Sequence, residues 1–282
     1  MRIYALIIVL IFSLQPVFGQ RKTKLNTNGK GTLFGQFGYN RSAYTRPDVS
    51  FESNNYKFTL ENVGLSDNEE GKSMGKYFSD SSPQFSAKIG YFIANKWAIT
   101  LSYDRYNTFF KDQQEVGLKG TFAPGSNSLY SGSVNETILL DRNQYNLTQK
   151  QGIDYISIGI QRNDMLGRTK KSEFALSTLY GIKGGILLSN PESTYDSSTS
   201  QGSTSVSGFG LTMNVGIQMD FYQYIYLQLG LNGGLLSQAK LKLATTGNYT
   251  AKQVVGYLSP TISLGFNIFA NPKNNCGTCP QW

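Results

Sequence analysis

The chain has 282 residues, a formal net charge of +8 and only 16% charged residues. It is rich in glycine and aromatic residues, with Gly 30, Tyr 18 and Phe 17, a composition typical of β structure with aromatic girdles rather than of a soluble basic domain. The chain contains no histidine, which excludes Ser-His-Asp and Cys-His catalytic arrangements and the commonest metal ligand. We therefore expect no enzyme and no cofactor.

The N-terminal residues 1–19 have the features of a cleaved secretory signal peptide. Arg2 gives a positive start, and the apolar run 4–14 is too short to cross a bilayer as a helix. Val17, Phe18 and Gly19 precede the predicted cleavage before Gln20. No other segment approaches the length of a membrane helix, so a membrane protein built from this chain must be a closed barrel.

Residues 208–221 alternate between apolar and small or polar residues over the whole length of a bilayer-spanning strand. Phe209, Leu211, Met213, Val215, Ile217, Met219 and Phe221 share one face, and glycine, threonine, asparagine, glutamine and aspartate occupy the other. This period of two is the signature of a transmembrane β-barrel, whose strands need about 9–11 residues.

Eight such strands are predicted, which favours an all-β, eight-stranded antiparallel transmembrane β-barrel with long extracellular loops. Three short turns, at 94–96, 163–171 and 222–223, alternate with long polar segments at 46–82, 109–151, 189–205 and 237–253, as in bacterial outer-membrane barrels. The predicted strands are 31–45, 83–93, 97–108, 152–162, 172–188, 206–221, 224–236 and 254–269. The predicted divisions are a signal peptide (1–19), a periplasmic segment (20–30), the barrel (31–269) and a periplasmic tail (270–282).

Two architectural alternatives remain open at this point. Residues 56–60 also alternate, so a hairpin above the membrane or a ten-stranded barrel is conceivable, and we assign the segment to the first loop because the parity of connections requires eight strands. A secreted lipocalin-like barrel would need a charged exterior. The polar face is too poor in charge for that, and the apolar face carries charge only toward strand ends, at Arg41, Arg105, Asp154 and Arg162.

The charged residues on the polar face predict an interior network rather than a pore. They are Lys88, Asp104, Glu173, Lys183 and Asp220, and an eight-stranded barrel is just wide enough for side chains to fill it. We therefore expect paired charges inside the barrel, with Gln36, Tyr106, Gln161, Gln218 and Gln228 also in the lumen. An aromatic girdle is predicted at the periplasmic end from Trp97, Phe221, Tyr222, Tyr224 and Phe269.

Three stretches resemble an uncharacterised family of Bacteroidota outer-membrane β-barrel proteins. They are NNYKFTLENVGLSD (54–67), QFSAKIGYFIANKWAITLSYDRYN (84–107) and GIDYISIGIQRND (152–164), and the ending Cys279-Pro280-Gln281-Trp282 is similar to Cys-Pro tails of that phylum. The resemblance implies an outer-membrane barrel and supplies no catalytic motif. A weaker likeness to small barrels of the OmpA and OmpW type depends on strand alternation alone.

The tail contains the motif Cys276-Gly277-Thr278-Cys279. A redox-active pair needs a thioredoxin-like context that the tail does not offer, so we predict a structural disulfide between Cys276 and Cys279. A processing or partner tag and a metal site are weaker alternatives. The acidic run 67–70 lacks the alternating ligand pattern of a calcium site and is interpreted as a solvated loop.

The sequence thus predicts a structural, adhesive or surface-binding outer-membrane protein without an open general pore. The alternative is a narrow transporter or channel for a small or hydrophobic solute that opens laterally between strands. Expected partners are outer-membrane lipids, lipopolysaccharide and the barrel assembly machinery, and no nucleic acid, because the basic residues are scattered outside the strands. Loop tyrosines are candidates for a binding surface, and loop solubility explains them equally well. They are Tyr130, Tyr145, Tyr195 and Tyr249.

Overall fold

Antiparallel strands account for all the regular secondary structure in the computed structural model, which describes residues 27–68, 84–149, 152–169, 173–244 and 249–269. No helix in these ranges is long and apolar enough to span a membrane. The strands are β1 (Thr32–Asn40), β2 (Ala43–Tyr44), β3 (Val49–Glu52), β4 (Tyr56–Glu61), β5 (Leu65–Ser66), β6 (Phe85–Ala94), β7 (Trp97–Tyr106), β8 (Phe109–Phe110), β9 (Gln114–Phe122), β10 (Gly132–Leu140), β11 (Tyr145–Thr148), β12 (Ile153–Arg168), β13 (Phe174–Ser189), β14 (Glu192–Tyr195), β15 (Ser198–Gln201), β16 (Ser205–Phe221), β17 (Ile225–Lys242) and β18 (Thr250–Phe269).

Eight of these strands form a closed ring in the order β1-β6-β7-β12-β13-β16-β17-β18. The ring closes where β1 pairs with β18, from Thr32 opposite Phe269 to Asn40 opposite Thr261. The prediction of an eight-stranded antiparallel barrel is confirmed, and a ten-stranded ring is wrong. Residues 56–60 belong to β4, which forms a hairpin with β3 outside the ring.

Several ring strands extend further than the alternation predicted. Strand β12 continues to Arg168, because its ladder with β13 is carried across a bulge between Met165 and Gly167. The predicted turn at 163–171 therefore begins too early. Glu173 lies exposed in this turn and not on a strand face. At the other end of the barrel, β17 continues to Lys242 and β18 begins at Thr250. Both strands therefore extend into the segment 237–253, for which the sequence predicts a loop.

The outer face of the ring is an apolar belt. Alternate residues of every ring strand point outward, and many of the large apolar ones are 37–65% exposed. An apolar surface that surrounds the whole ring suits contact with membrane lipid, because monomeric soluble proteins rarely expose apolar patches of this extent to water. Members of the belt include Phe37, Ile89, Leu101, Ile156, Ile158, Ile160, Ile182, Phe209, Leu211, Met213, Val215, Ile217, Leu229, Ile262, Leu264 and Phe266.

Charges on the outer face occur near the belt's edges and are paired. Arg105 Nε contacts Asp154 Oδ1 at 2.7 Å, and Arg162 Nε contacts Asp164 Oδ2 at 2.9 Å. Arg162 also lies over the Trp97 ring. Aromatic residues surround the end that carries the short turns, which we call the turn end; Trp97, Phe221, Tyr222 and Tyr224 are all at least 39% exposed there. This arrangement suits an interfacial girdle.

A second β structure, which we call the cap, covers the opposite end of the barrel. Above its pairing with β1, strand β18 pairs with β3, and the sheet continues through β4 and β9 to β10. A three-stranded sheet, β11-β14-β15, and the two-stranded pair β5-β8 complete the cap. The long segments between barrel strands were predicted to be loops. They fold because they bury an apolar cluster of their own.

We expect the position of an arginine along β16 to determine its effect on membrane insertion. Val215 is 53% exposed at mid-strand, whereas Val206 is 60% exposed at the cap end. Arginine at the bilayer midplane costs about 2–4 kcal/mol and about 0–1 kcal/mol near an interface. Val215→Arg should therefore reduce the yield of folded, heat-modifiable protein in the membrane fraction much more than Val206→Arg. Equal yields would contradict the assigned belt.

Candidate functional site

The centre of the barrel interior contains a buried ion pair. Lys183 of β13 donates to Asp104 of β7 at 2.5 Å, and these side chains are 6% and 0% exposed. Ser86 Oγ donates to the other oxygen of Asp104 at 2.7 Å. The pair spans one intervening strand, since β12 lies between β7 and β13 in the ring. A buried carboxylate with two donors is well satisfied, which makes its desolvation tolerable.

A chain of side-chain hydrogen bonds runs from Lys88 toward the turn end. Lys88 Nζ donates to Gln161 Oε1 at 2.9 Å, and Gln161 Nε2 donates to Asn163 Oδ1 at 2.7 Å. Asn163 Nδ2 then donates to Gln218 Oε1 at 3.2 Å, and Gln218 Nε2 donates to Asp220 Oδ1 at 2.9 Å. Lys88 and Asp220, although not in contact, therefore belong to one polar column.

Tyrosines close the lumen beside the cap. The Tyr106 hydroxyl donates to that of Tyr257 at 3.2 Å, and Thr212 Oγ1 shares a 2.6 Å hydrogen bond with Tyr257. Tyr155 donates to the carbonyl of Gly210 at 3.0 Å. These rings pack with buried leucine and isoleucine side chains of the upper wall. Each tyrosine hydroxyl in this layer has a hydrogen-bond partner, and the apolar parts of the rings fill the lumen beside the cap.

A second aromatic layer closes the turn end. Phe34 and Phe92 lie with ring centroids 5.4 Å apart inside the barrel, with Ala98 and Tyr226 in the same buried cluster. Gly90 makes room for this layer, because a Cβ on it would come within 2.2 Å of the Phe34 ring. Sequence alternation placed Phe34 and Phe92 on the same strand faces as polar residues, and nothing in the pattern indicated that they meet.

Side chains fill the described part of the barrel interior. A cavity of about 10 Å³ lies between Lys88, Gln228 and their neighbours, about the room that one water molecule needs. Each pair of adjacent ring strands is also joined by a ladder of at least seven residue pairs, so the wall has no lateral gap. The residues predicted to fill the lumen are all buried; they are Gln36, Lys88, Tyr106, Gln161, Lys183, Gln218 and Gln228.

The cap has an aromatic core. Tyr195 stacks on Tyr56 with ring centroids 4.0 Å apart, and Phe58 packs against Phe51, Phe122 and Tyr145 within 5.7 Å. Burial raises the pKa of the Tyr56 and Tyr145 hydroxyls well above the usual tyrosine value, so both stay protonated.

Three of the four loop tyrosines considered for a binding surface pack in or against this core instead. Tyr145 is 2% exposed, and Tyr195 is packed against the core. Tyr130 also packs against it, while Tyr249 remains 40% exposed. The sequence alone could not distinguish the buried tyrosines from the exposed one, because the side of a loop that faces the core is defined only when the loop folds.

A polar cleft of about 420 Å³ opens on the outside of the cap. Its floor is a row of facing residues on three strands, in which Asn146 of β11 pairs with Thr194 of β14, and Thr194 pairs with Thr199 of β15. Turns that follow β8 and β10 form one wall, with Asp112 and Arg142. Sequence reasoning missed this cleft, since its parts lie up to 87 residues apart, from Asp112 to Thr199.

Some predicted features lie outside the described residues. Cys276 and Cys279 are among them, so their predicted disulfide stays a prediction, as does the signal peptide. Residues 69–70 of the acidic run 67–70 also lie outside the described residues. Within that run, Asp67 contacts Arg41 Nε at 3.0 Å, an ion pair that accounts for this carboxylate. In the described part of the chain, no group of three or more His, Cys, Asp or Glu residues is placed to hold a metal ion.

Comparison with known proteins gives distant similarities only. No protein-family model and no curated protein matches the chain. Among solved structures, the chain is similar to the outer membrane protein OprG of Pseudomonas aeruginosa, at 14% identity and a TM-score of 0.44, covering 86% of this chain and 99% of OprG. The outer membrane protein AlkL, studied in DMPC bilayers, is 11% identical with a TM-score of 0.44 over 89% of this chain and 96% of AlkL.

Ail, the attachment invasion locus protein of Yersinia pestis, is 10% identical with a TM-score of 0.35, covering 85% of this chain and 99% of Ail. Similarities this distant give no information about activity. The fold assignment therefore depends on the strand pairing of the chain itself, and membership of a Bacteroidota family stays a prediction.

The ion pair predicts non-additive mutations. Asp104→Ala leaves Lys183 buried without a carboxylate, and breaking a buried pair costs about 3–5 kcal/mol. We expect the double variant Asp104→Leu with Lys183→Met to recover most of this loss, because no isolated charge remains. Urea unfolding of the refolded protein in detergent micelles measures both. A double variant less stable than Asp104→Ala alone would show that the pair is not the source of the effect.

Proposed function

We propose that this protein is a non-conducting outer-membrane barrel that carries a folded binding cap on the cell surface. The observation that carries the proposal is the closed lumen, in which aromatic layers at both ends enclose a hydrogen-bonded polar centre. Eight-stranded barrels have room for side chains and no more, whereas aqueous channels belong to barrels of about 16 or more strands. The barrel then anchors the protein in the membrane, and the cap carries the binding surface.

The membrane in question is the outer membrane of a bacterium. β-Strands span a bilayer only as a closed barrel, because closure leaves no unpaired backbone groups at a sheet edge. Such barrels have an apolar belt and an aromatic girdle, as this one does. The predicted signal peptide supplies the export route. Short turns then face the periplasm, and the cap faces outward, as in other bacterial barrels with long outer connections.

The construction of the cap supports a binding role. Flexible loops would suffice to join barrel strands, yet these segments form sheets with a buried core of eighteen residues. Ordering a backbone costs about 1–2 kcal/mol per residue, and the apolar core offsets that cost. A rigid, protruding structure is suited to presenting a fixed surface to a ligand, since little entropy is lost when the ligand binds.

A narrow transporter receives no comparable support. A hydrophobic solute would meet the polar column of Lys88, Gln161 and Asp220, and would have to break a continuous ladder to leave sideways. The lack of histidine throughout the chain also favours binding over acyl-transfer or hydrolytic chemistry.

Electrical recording tests the closed lumen. Purified protein in planar bilayers should give no stable conductance steps, with a sixteen-stranded porin as the positive control, because no water path crosses the aromatic layers. Lys88→Glu should behave like the parent protein. Reproducible steps whose ion selectivity changes in Lys88→Glu would overturn the proposal and make the protein a narrow channel.

Surface labelling tests the orientation of the cap. Leu139 on β10 is 66% exposed, and Asn95 is exposed in the turn between β6 and β7. In a background with both native cysteines replaced by serine, a membrane-impermeant maleimide should label Leu139→Cys on intact cells. Asn95→Cys should react only after the outer membrane is opened. The reverse pattern would place the cap in the periplasm.

A further inference from the structure

The floor of the polar cleft is formed by regular β-strands of the cap. In the three-stranded sheet β11-β14-β15, Tyr145 and Leu147 point into the cap core, so period-two geometry turns Asn146 and its neighbours Thr194 and Thr199 to the opposite face. The hydroxyls of Thr194 and Thr199 share a hydrogen bond at 3.2 Å. The floor therefore displays one amide and two hydroxyls in a straight row across three strands.

The walls of the cleft are held in place by local hydrogen bonds. The backbone N–H of Arg142 donates to Asp112 Oδ1 at 3.2 Å, which ties the turn before β9 to the turn after β10. On the opposite side, Asp196 and Ser197 form the two-residue hairpin turn with φ of 47° and 64°. The Asp196 carboxylate accepts the backbone N–H of Ser128 at 2.9 Å, which fixes this turn to the β9–β10 connection.

The chemical character of the residues that line the cleft restricts the class of ligand that it can bind. The residues that line the cleft directly include one carboxylate, Asp112, and one guanidinium, Arg142, so the lining has no net charge to attract a phosphate or a metal cation. None of its side chains is aromatic or purely aliphatic, which disfavours a lipid or an apolar peptide. What remains is a dense set of hydrogen-bond donors and acceptors, some of them planar and able to bind two adjacent hydroxyls at once.

We propose that this cleft binds a neutral, polyhydroxylated ligand, a saccharide of the size of one or two sugar rings. Asp112 accepts from sugar hydroxyls, Arg142 and Asn146 donate to them, and the threonine hydroxyls do both. The volume of about 420 Å³ lies in the range of about 300–1,000 Å³ usual for small-molecule sites. The inference rests on the proposed function, since it needs the cap at the cell surface, where glycans are accessible.

The test uses the full chain in lipid nanodiscs and a panel of neutral sugars, namely glucose, galactose, mannose, N-acetylglucosamine, lactose and maltose. Saturation-transfer NMR identifies a binder, and calorimetric titration gives its dissociation constant. Asn146→Leu should weaken binding at least tenfold, because it removes an amide from the floor. Asn135→Leu, the same exchange on the exposed strand β10 outside the cleft, should leave binding unchanged, and circular dichroism verifies that both variants fold.

Two results would overturn the inference. One is the absence of saturable binding by any sugar of the panel at concentrations up to 50-fold above the protein, or binding that Asn146→Leu and Asn135→Leu affect equally. The other is binding of inorganic phosphate that Arg142→Ala abolishes while no sugar binds, which would make the cleft an anion site. Neither result bears on the conductance and labelling experiments, so failure of the saccharide site is distinguishable from failure of the surface-binding proposal.

Discussion

Closure of eight strands into a ring is the constraint on which the rest of this structure depends. Once β1 pairs with β18, no backbone edge remains in the ring, and every side chain of the wall must face either the bilayer or a lumen just wide enough for side chains to fill. The outward set becomes an apolar belt. The inward set has to fill a narrow space completely, which is why glycine stands opposite the bulky Phe34 ring at Gly90.

The lumen solves a problem of polarity as well as of volume. Its wall residues are mainly serine, threonine, asparagine and glutamine, whose polar atoms are costly to bury without partners. Two sets of contacts offset part of this cost, namely the pairing of Lys183 with Asp104 and the column that connects Lys88 to Asp220. Their inter-strand contacts each join strands that are separated by one other ring strand, so they brace the wall from inside and occupy space in the lumen.

The cap grows from the barrel rather than being attached to it. Above the membrane the ring opens, and β3 takes the place of β1 beside β18, so the same sheet continues into β4, β9 and β10. This continuity couples the cap to a rigid base. It also explains the aromatic core around Phe58 and Tyr195, since a sheet leaving the membrane must bury its apolar face against other loops instead of against lipid.

The sequence by itself determined the barrel and its strand count, because period-two alternation over about ten residues records directly which side of a wall each residue faces. It could also name Lys88, Asp104, Lys183 and Asp220 as inward charges. It could not say that Asp104 pairs with Lys183, since they lie 79 residues apart and the contact depends on ring order and tilt.

Only the tertiary structure decided what the long connections do. Segments such as 46–82 and 109–151 contain short strands, and the alternation at 56–60 indicated one of them. Their pairing with β18 and with each other depends on contacts between distant segments, which no local period reveals. Tyr145 has the same loop-like sequence context as Tyr249, yet one is buried and the other exposed. The polar cleft is assembled from two long connections, 109–151 and 189–205. It exists only after the pairing of β11 with β14 has formed, because its floor and walls come from distant parts of the chain.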